Sequence, residues 1–312
     1  MKRRDFVKQT ALSASLIPFL RYVDKNLMST KTDELSVHIF SKHLQFLDCE
    51  ALGEITAKMG FAGVDLTVRP GGHVLPENVK TNLTKAIGAI KKAGSNCEMI
   101  TTSIESIHHP LDIAVLESAA AANISYYRTN WFKYTEDRSM LDTLKIYRDE
   151  IKKLGELNKT LGLVGCYQNH AGTSIGASYW EIEKLLDTVN PDFFGVQYDI
   201  RHAMVEGFNS WVNGLKLLQH RIKVIVLKDY TWKKINGKWL LVNTPIGEGM
   251  VDFDAYFKLL KKYKLNPPVS LHLEYDLGGA EKGNRVLTID KNEVFDAMIK
   301  DLNEVQRLWR EA

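Results

Sequence analysis

Short apolar runs alternate with helix-like segments from residue 36 to the end of the chain, and this alternation limits the possible folds more than any other feature. Each run is followed by a segment with apolar residues at helical spacing, most clearly at 141–159, 179–189 and 292–309. Eight such units predict a single (β/α)₈ barrel domain over residues 33–312, since these barrels typically take about 250 residues. The eight runs are SVHIF (36–40), GVDLTV (63–68), CEMITTS (97–103), ISYYRT (124–129), LVGCYQ (163–168), FFGVQYD (193–199), IKVIVLKD (222–229) and VSLHLEY (269–275).

A doubly wound open sheet is the alternative to a barrel. That fold commonly binds a dinucleotide through a glycine-rich GxGxxG turn after its first strand. No such turn follows the first run, so the pattern favours the barrel.

The charge and cysteine content exclude several classes of protein. The net charge is only +3, from 41 basic and 38 acidic residues spread along the chain, so nothing indicates nucleic acid as a partner. The three cysteines, Cys49, Cys97 and Cys166, are too few and too scattered for a disulfide framework or a thiolate metal site.

The N-terminal segment MKRRDFVKQTALSASLIPFL has the form RRxFxK followed by a short apolar stretch. This form is typical of a twin-arginine export signal. It predicts a signal and linker over residues 1–32 and a periplasmic location in a bacterium, with membrane contact only through a signal that stays uncleaved. No other segment approaches the ~20 apolar residues of a membrane span.

Polar residues cluster just after the predicted strands. In a (β/α)₈ barrel the carboxyl ends of all strands meet at one face, where the active site lies. The same sequence positions therefore predict one shared site. Its candidate residues are His43, Arg69, His73, Glu105, His108, His109, Arg128, Trp131, Gln168, Asn169, His170, Asp199, His202, Lys228, Asp229, Glu274 and Asp276.

The stretch YDIRH (198–202) holds an aspartate and a histidine three positions apart. Residues i and i+3 of an extended strand face opposite sides. Asp199 and His202 can therefore converge only if the strand ends near Asp199 and the chain curls back.

Four short motifs resemble the xylose-isomerase-like barrels of the sugar phosphate isomerase and epimerase superfamily. They are QNH (168–170), DIRH (199–202), LKDY (227–230) and HLEY (272–275), in that order. The resemblance implies that Asp199 and Glu274 bind a divalent metal, Mn²⁺, Zn²⁺ or Mg²⁺, and that His202 contacts the substrate.

Two positions depart from the pattern of that superfamily. Gln168 stands where the superfamily often has a metal-binding glutamate, and Val226 stands where it has a metal-binding histidine. Glutamine offers only a neutral carbonyl oxygen and valine offers no ligand. Either the metal is held by a rearranged set, Asp199, Glu274, Gln168 and His170, which His202 can also join, or the site works without metal through protonated groups.

The chemistry that such a site supports is proton transfer next to a carbonyl group of a carbohydrate. Glu274 is the first candidate for the base, His170 and His202 are the second, and Lys228 is a candidate electrophile. Candidates for binding the sugar are the basic, amide and aromatic side chains Arg69, Arg128, Trp131, Asn169 and Trp232.

Four functions remain open at this point. The first is a sugar isomerase or epimerase, and the second is a 3-keto-glycoside lyase or hydrolase that uses the same enolisation. The third is an abasic-site endonuclease, which an exported, nearly neutral protein disfavours. The fourth is a sugar-binding barrel without catalysis. The partner expected in all but the third is a small carbohydrate, and an oligomer is possible.

The segment 231–253 is longer than the other connections between predicted strands. INGK is a turn signal between the strand-like pieces WKK and KWLLV, which predicts a hairpin over the barrel mouth. After it, Gly247 and Gly249 predict a loop whose backbone amides receive a substrate hydroxyl or phosphate, before a helix that begins at Asp252.

Overall fold

Eight parallel strands close into a barrel in the computed structural model, which describes residues 34–312. Each strand pairs with its neighbours in the chain, and the last pairs with the first. The predicted (β/α)₈ barrel is therefore confirmed. The barrel strands are β1 Val37–Phe40, β2 Gly63–Val68, β3 Met99–Thr102, β4 Tyr126–Arg128, β5 Val164–Gln168, β6 Phe194–Asp199, β7 Ile222–Leu227 and β10 Val269–Leu271.

Helices cover the outside of the barrel. The three predicted helices are present, with small differences at their ends, and Asp252 caps its helix by accepting a hydrogen bond from the Ala255 amide at 3.0 Å. The α-helices are Cys49–Met59, Val79–Lys92, Pro110–Ala121, Met140–Leu161, Tyr179–Leu186, Ile200–Gly207, Trp211–Leu218, Phe253–Lys262 and Lys291–Glu311.

The barrel strands are buried on both faces, which explains why they read as apolar runs rather than as alternating patterns. Inside the barrel a small polar layer crosses from one strand to another. The Asp65 carboxylate accepts hydrogen bonds from the Thr101 hydroxyl at 3.0 Å and from the Ser270 hydroxyl at 2.6 Å. These bonds tie β2, β3 and β10 together beneath the mouth.

The predicted hairpin after the seventh barrel strand is also confirmed. Its strands are β8 Asp229–Ile235 and β9 Lys238–Thr244, paired antiparallel. Asn236 and Gly237 form the two-residue turn with φ values of 51° and 79°, which is the geometry that Asn-Gly turns favour. The hairpin begins at Asp229, three residues earlier than the sequence indicates.

The predicted export signal and linker, residues 1–32, lie outside the described residues. Export, periplasmic location and the boundary at residue 33 therefore stay predictions. Among residues 34–312, none of the helices combines the length and the apolar character needed to cross a membrane.

Candidate functional site

A cavity of about 230 Å³ opens at the carboxyl ends of the barrel strands. Seven of the predicted site residues line this cavity, which therefore lies at the predicted strand ends. The lining residues are Phe40, Lys42, Arg69, Arg128, Trp131, Gln168, His170, Lys228, His272 and Glu274.

Lys228 lies between β7 and the hairpin, and its ammonium group is the centre of the site. Its Nζ is 3.2 Å from Asp199 Oδ2, 3.5 Å from Glu274 Oε1 and 2.8 Å from His202 Nε2. The side chain is only 3% exposed. One buried cation is therefore surrounded by two carboxylates and an imidazole, while it still reaches the cavity wall.

Glu274 follows β10 in the chain, and its side chain is 25% exposed. Burial alone would raise the pKa of this carboxyl group. The positive charges of Lys228 and Lys42, together with the nearby His272 ring, outweigh burial and hold the pKa of Glu274 well below its ordinary value. Glu274 is thus an ionised carboxylate that faces the cavity beside an ammonium group.

The base of the hairpin fixes the backbone at Glu274. The Asn243 side chain donates from Nδ2 to the carbonyl oxygen of Glu274 at 3.1 Å and accepts from Arg201 Nη2 at 2.7 Å. The hairpin therefore positions the strand end that carries the carboxylate.

Asp199 ends β6 and caps the next helix, as the DIRH spacing predicts. Its Oδ1 accepts a hydrogen bond from the backbone amide of His202 at 3.0 Å. Its Oδ2 accepts from Gln168 Nε2 at 2.9 Å. Asp199 is fully buried and does not line the cavity, so it acts on the site through Lys228.

The two candidate histidines pack against each other, with ring centroids 3.9 Å apart. Burial and the charge of Lys228 lower the pKa of both His170 and His202, that of His202 strongly. Both rings are therefore neutral at neutral pH. The two nitrogens of His202 face Lys228 at 2.8 Å and Arg201 at 3.0 Å, and a neutral ring can accept from only one of these cations at a time.

Arg128 and Gln168 form the opposite wall. Arg128 Nη1 donates to Gln168 Oε1 at 2.8 Å, and the guanidinium lies 4.2 Å from the centre of the Trp131 ring. Burial and the charge of Arg69 lower the pKa of Arg128 to about 9, which leaves it charged at neutral pH. Both ends of the Gln168 amide are therefore engaged, one by Arg128 and the other by Asp199.

These donors do not fit a divalent cation. The oxygen of Gln168 is occupied by Arg128, and the Lys228 ammonium lies within 3.5 Å of both carboxylates. Val226, which pairs with Asp199 in register, adds no ligand. Within residues 34–312, no group of three or more His, Cys, Asp or Glu side chains is arranged to hold a metal ion, so the expected set Asp199, Glu274, Gln168 and His170 gains no support from the geometry.

Three residues that line the cavity are not among the predicted site residues. Lys42 and Phe40 lie at the end of β1, and His272 follows β10. The His272 ring stacks on Phe40 with centroids 4.2 Å apart. The motif HLEY contains both His272 and Glu274, but the resemblance predicts a role for the glutamate alone.

Two residues expected to bind substrate do not line the cavity. The Asn169 amide is engaged with the backbone of Asp199, accepting from its N–H at 2.8 Å and donating to its carbonyl oxygen at 2.9 Å. Trp232 lies on the hairpin and is 41% exposed. Asn169 therefore joins β5 to β6, and Trp232 lies outside the cavity wall.

The glycine loop after the hairpin does not offer free amides, and that expectation is wrong. The Asp229 carboxylate accepts hydrogen bonds from the backbone of Gly247 at 3.0 Å, Gly249 at 2.9 Å and Val251 at 3.0 Å. A Cβ at Gly249 would lie 2.2 Å from Asp229 Oδ1, so the loop requires glycine for packing around this carboxylate.

His43 is another strand-end residue with a structural role. Its Nε2 accepts from the Leu273 amide at 3.1 Å, and its Nδ1 lies 3.3 Å from the Ala280 carbonyl oxygen. Burial lowers the pKa of His43 to about 3. The neutral ring thus joins the loops that follow β1 and β10.

Comparison with known sequences gives one family and a set of related enzymes. The family described as xylose isomerase-like TIM barrel matches residues 54–290. An inosose dehydratase of Clostridium botulinum is 28% identical over 152 residues, 42% of this chain and 50% of that protein. An inosose dehydratase of Mesomycoplasma hyopneumoniae is 32% identical over 124 residues, 36% of this chain and 41% of that protein. The chain thus spans about half the length of these relatives or less.

Solved structures with the same fold include enzymes of several activities. The IolI protein with bound zinc has a TM-score of 0.67 at 16% identity, over 88% of this chain and 99% of its own. The 3-keto-D-glucoside 4-epimerase of E. coli has a TM-score of 0.63 at 13% identity, over 86% and 100%. A probable 3-DHS dehydratase of Bacillus anthracis has a TM-score of 0.63 at 12% identity, over 86% and 98%. At these identities the likeness concerns the fold.

Proposed function

The chain belongs to the family of xylose isomerase-like TIM barrels, and on that premise we propose that it is a carbohydrate-modifying enzyme that removes a proton next to a ketone. Glu274 is the base, and the Lys228 ammonium is the electrophile. The observation that carries this proposal is the distance of 3.5 Å between Lys228 Nζ and Glu274 Oε1 at the wall of one cavity.

The two groups suit the two halves of an enolisation. The Glu274 carboxylate takes the proton from the carbon next to the ketone, and the electrons of that C–H bond move into a C=C–O⁻ enolate. The positive charge of the ammonium group stabilises the oxygen on which negative charge develops. Preorganised charges and dipoles aimed at such an oxygen are often the largest single contribution to catalysis.

Two products can follow from this enolate. Return of the proton from Glu274 to the neighbouring carbon, with transfer of the hydroxyl proton from one oxygen to the other, gives an isomer, and protonation of the same carbon by water from the other face gives an epimer. These are our first assignment. Loss of a hydroxyl or glycosidic oxygen from the next carbon, which takes up the proton held by Glu274 as it leaves, gives the unsaturated product of a dehydratase or lyase. The inosose dehydratase relatives favour this second outcome as an alternative at the same site.

In this proposal the reaction needs no divalent metal, unlike that of metal-binding proteins with this fold. Lys228 supplies the positive charge between Asp199 and Glu274 that a metal would otherwise supply. Asp199, joined to Gln168 and Lys228, keeps the ammonium group oriented. The proposed export by the N-terminal segment would bring the enzyme into contact with carbohydrates outside the cytoplasm.

We expect the protein to catalyse exchange of a carbon-bound proton with D₂O when it is given a suitable keto sugar. A 3-keto-glucoside, a free ketohexose and a keto-cyclitol are the three substrates to compare, with buffer alone as the control. Proton NMR follows the exchange and separates an epimer from an unsaturated elimination product. If none of the three and no acidic keto sugar exchanges or eliminates, the enzymatic proposal fails and the non-catalytic sugar-binding barrel takes its place.

We expect the purified protein to contain far less than one metal ion per chain after incubation with Mn²⁺, Zn²⁺ or Mg²⁺, and to keep its turnover in the presence of a chelator. The reason is that Arg128 and Lys228 already occupy the oxygens that a cation would need. A matched variant, Gln168→Glu with Val226→His and Lys228→Met, restores the missing donors and is expected to gain metal. Elemental analysis measures both proteins. A stoichiometric metal in the wild type that Asp199→Asn removes would contradict the assignment.

A further inference from the structure

We infer that the substrate carries an anionic group, a carboxylate or a phosphate, which Arg69 and Lys42 bind beside the reacting carbons. This inference rests on the proposed function in one respect, namely that the cavity holding Lys228 and Glu274 is the active site. It adds a substrate class, acidic sugars, to that function.

The charges on the cavity wall are unequal. Four cationic side chains line the cavity, Lys42, Arg69, Arg128 and Lys228, against one carboxylate, Glu274. Lys228 is accounted for by Asp199 and Glu274. The other three cations therefore give the cavity an excess of positive charge.

Two of these cations lack a carboxylate partner. In the described part of the chain, the side chains of Lys42 and Arg69 make no hydrogen bond and no ion pair, and the contact of Arg69 is with the face of Phe40, 5.6 Å from its centre. Arg128 adds a third donor, because its Nε is buried without a partner in a side chain that is only 4% exposed. Partly buried cations without counter-charge raise the free energy of the protein, and an anionic ligand relieves that cost.

The buried Asp65 carboxylate does not neutralise these cations. Asp65 lies deeper in the barrel, is 1% exposed and is held by Thr101 and Ser270. Burial lowers the pKa of both Lys42 and Arg69, and the opposing charges of Asp65 and Glu274 do not offset it. The local environment therefore compensates both positive charges only in part.

The order of strands puts this anion site next to the base. In the barrel β10 pairs with β1, and β1 pairs with β2. Glu274, Lys42 and Arg69 follow these three neighbouring strands. A guanidinium can bind a carboxylate or a phosphate through two parallel N–H bonds, so Arg69 can hold the acidic end of a sugar while its ketone lies against Lys228.

Binding measurements test the anion site separately from catalysis. Calorimetry compares inorganic phosphate, D-glucuronate and neutral D-glucose on the wild type, on Arg69→Met and on Lys42→Met. Lys85→Met, which removes an exposed cation outside the cavity, is the matched control. The glucuronate and phosphate arms distinguish a carboxylate from a phosphate ligand.

We expect at least one of the two anions to bind more tightly than glucose, and Arg69→Met to weaken that anion roughly ten- to a hundredfold. Lys42→Met is also expected to weaken binding of that anion, while Lys85→Met is expected to bind it as tightly as the wild type does. Circular dichroism confirms that each variant is folded. If glucose binds as well as both anions, or if Arg69→Met leaves anion binding unchanged, the anion site does not exist.

The two proposals fail in different ways. If anions bind through Arg69 but no keto sugar exchanges its proton, the enolisation chemistry is wrong and the acidic-ligand site stands. If neutral keto sugars exchange as fast as acidic ones in the wild type and in Arg69→Met, the enzymatic function stands and the acidic substrate class is wrong.

Discussion

Lys228→Met is expected to lower turnover roughly 10³-fold while the barrel stays folded. The substitution keeps an unbranched side chain of similar length but removes the ammonium that stabilises the enolate oxygen. Loss of one such preorganised donor costs roughly 10²- to 10³-fold in known enzymes. We expect the larger value because Lys228 is 3% exposed, where an electrostatic contact is weakly screened. Solvent proton exchange measured by NMR gives the rate.

A second variant separates this catalytic effect from stability. Lys228→Met leaves the buried Asp199 carboxylate without its cation, which costs roughly 3–5 kcal/mol of unfolding free energy for a buried pair. The double variant Lys228→Met with Asp199→Asn removes both charges and is expected to recover most of that stability in urea unfolding. Its turnover stays as low as that of the single variant. Recovery of activity together with stability would mean that Lys228 serves the fold alone.

The barrel itself could be predicted because its signal is local and repeated. Every strand of a closed parallel barrel is buried on both faces, so each appears as a continuous apolar run, and a helix must follow to return the chain. The residues at which the strands end are harder to predict. The run 269–275 keeps a strand-like alternation of apolar and polar residues to its end, yet β10 ends at Leu271. The reason is that the Leu273 amide donates to the His43 ring instead of to a neighbouring strand.

The face of the barrel that carries the site could also be predicted, but the depth of each side chain could not. Asp199 and Glu274 both lie at the ends of predicted strands, so the sequence does not distinguish their depths. In the structure Asp199 is fully buried beneath Lys228, whereas Glu274 reaches the cavity. The depth of a side chain depends on which other side chains cover it. Contacts between residues 26 to 46 positions apart along the chain determine this.

The missing metal ligands could be recognised in the sequence, but their replacement could not. Gln168 and Val226 indicate that a metal site with four protein ligands is incomplete. Both a rearranged metal site and a metal-free site are compatible with these two residues. The distances from Lys228 Nζ to Asp199 and Glu274 support the metal-free alternative that we propose. A lysine at a strand end gives no sign in the sequence of whether it caps the next segment or extends toward two carboxylates.

Glu274→Gln is expected to slow solvent proton exchange roughly 10²- to 10⁴-fold, the range that a positioned general base contributes. Glutamine keeps the shape of the side chain but cannot take the proton. Stability should change little, since Lys228 keeps Asp199 as its partner and the side chain at 274 is partly exposed. His170→Asn is the matched control, and its exchange rate is expected to fall much less than that of Glu274→Gln. The reason is that His170 Nδ1 hydrogen-bonds the Ala171 carbonyl oxygen at 2.8 Å and the ring packs on Trp131.

The pH dependence of the wild type follows from the same carboxylate. The active form of Glu274 is ionised, and its pKa lies well below the ordinary value of 4.5, so the rate should stay level as the pH falls from neutrality to about 4.5 and should decline only below it. A histidine base would instead lose activity as the pH falls through the pKa of its ring, which lies below 6.5 for both His170 and His202. A decline of the wild-type rate that begins above pH 4.5, together with exchange that survives Glu274→Gln, would transfer the role of base from Glu274 to a histidine.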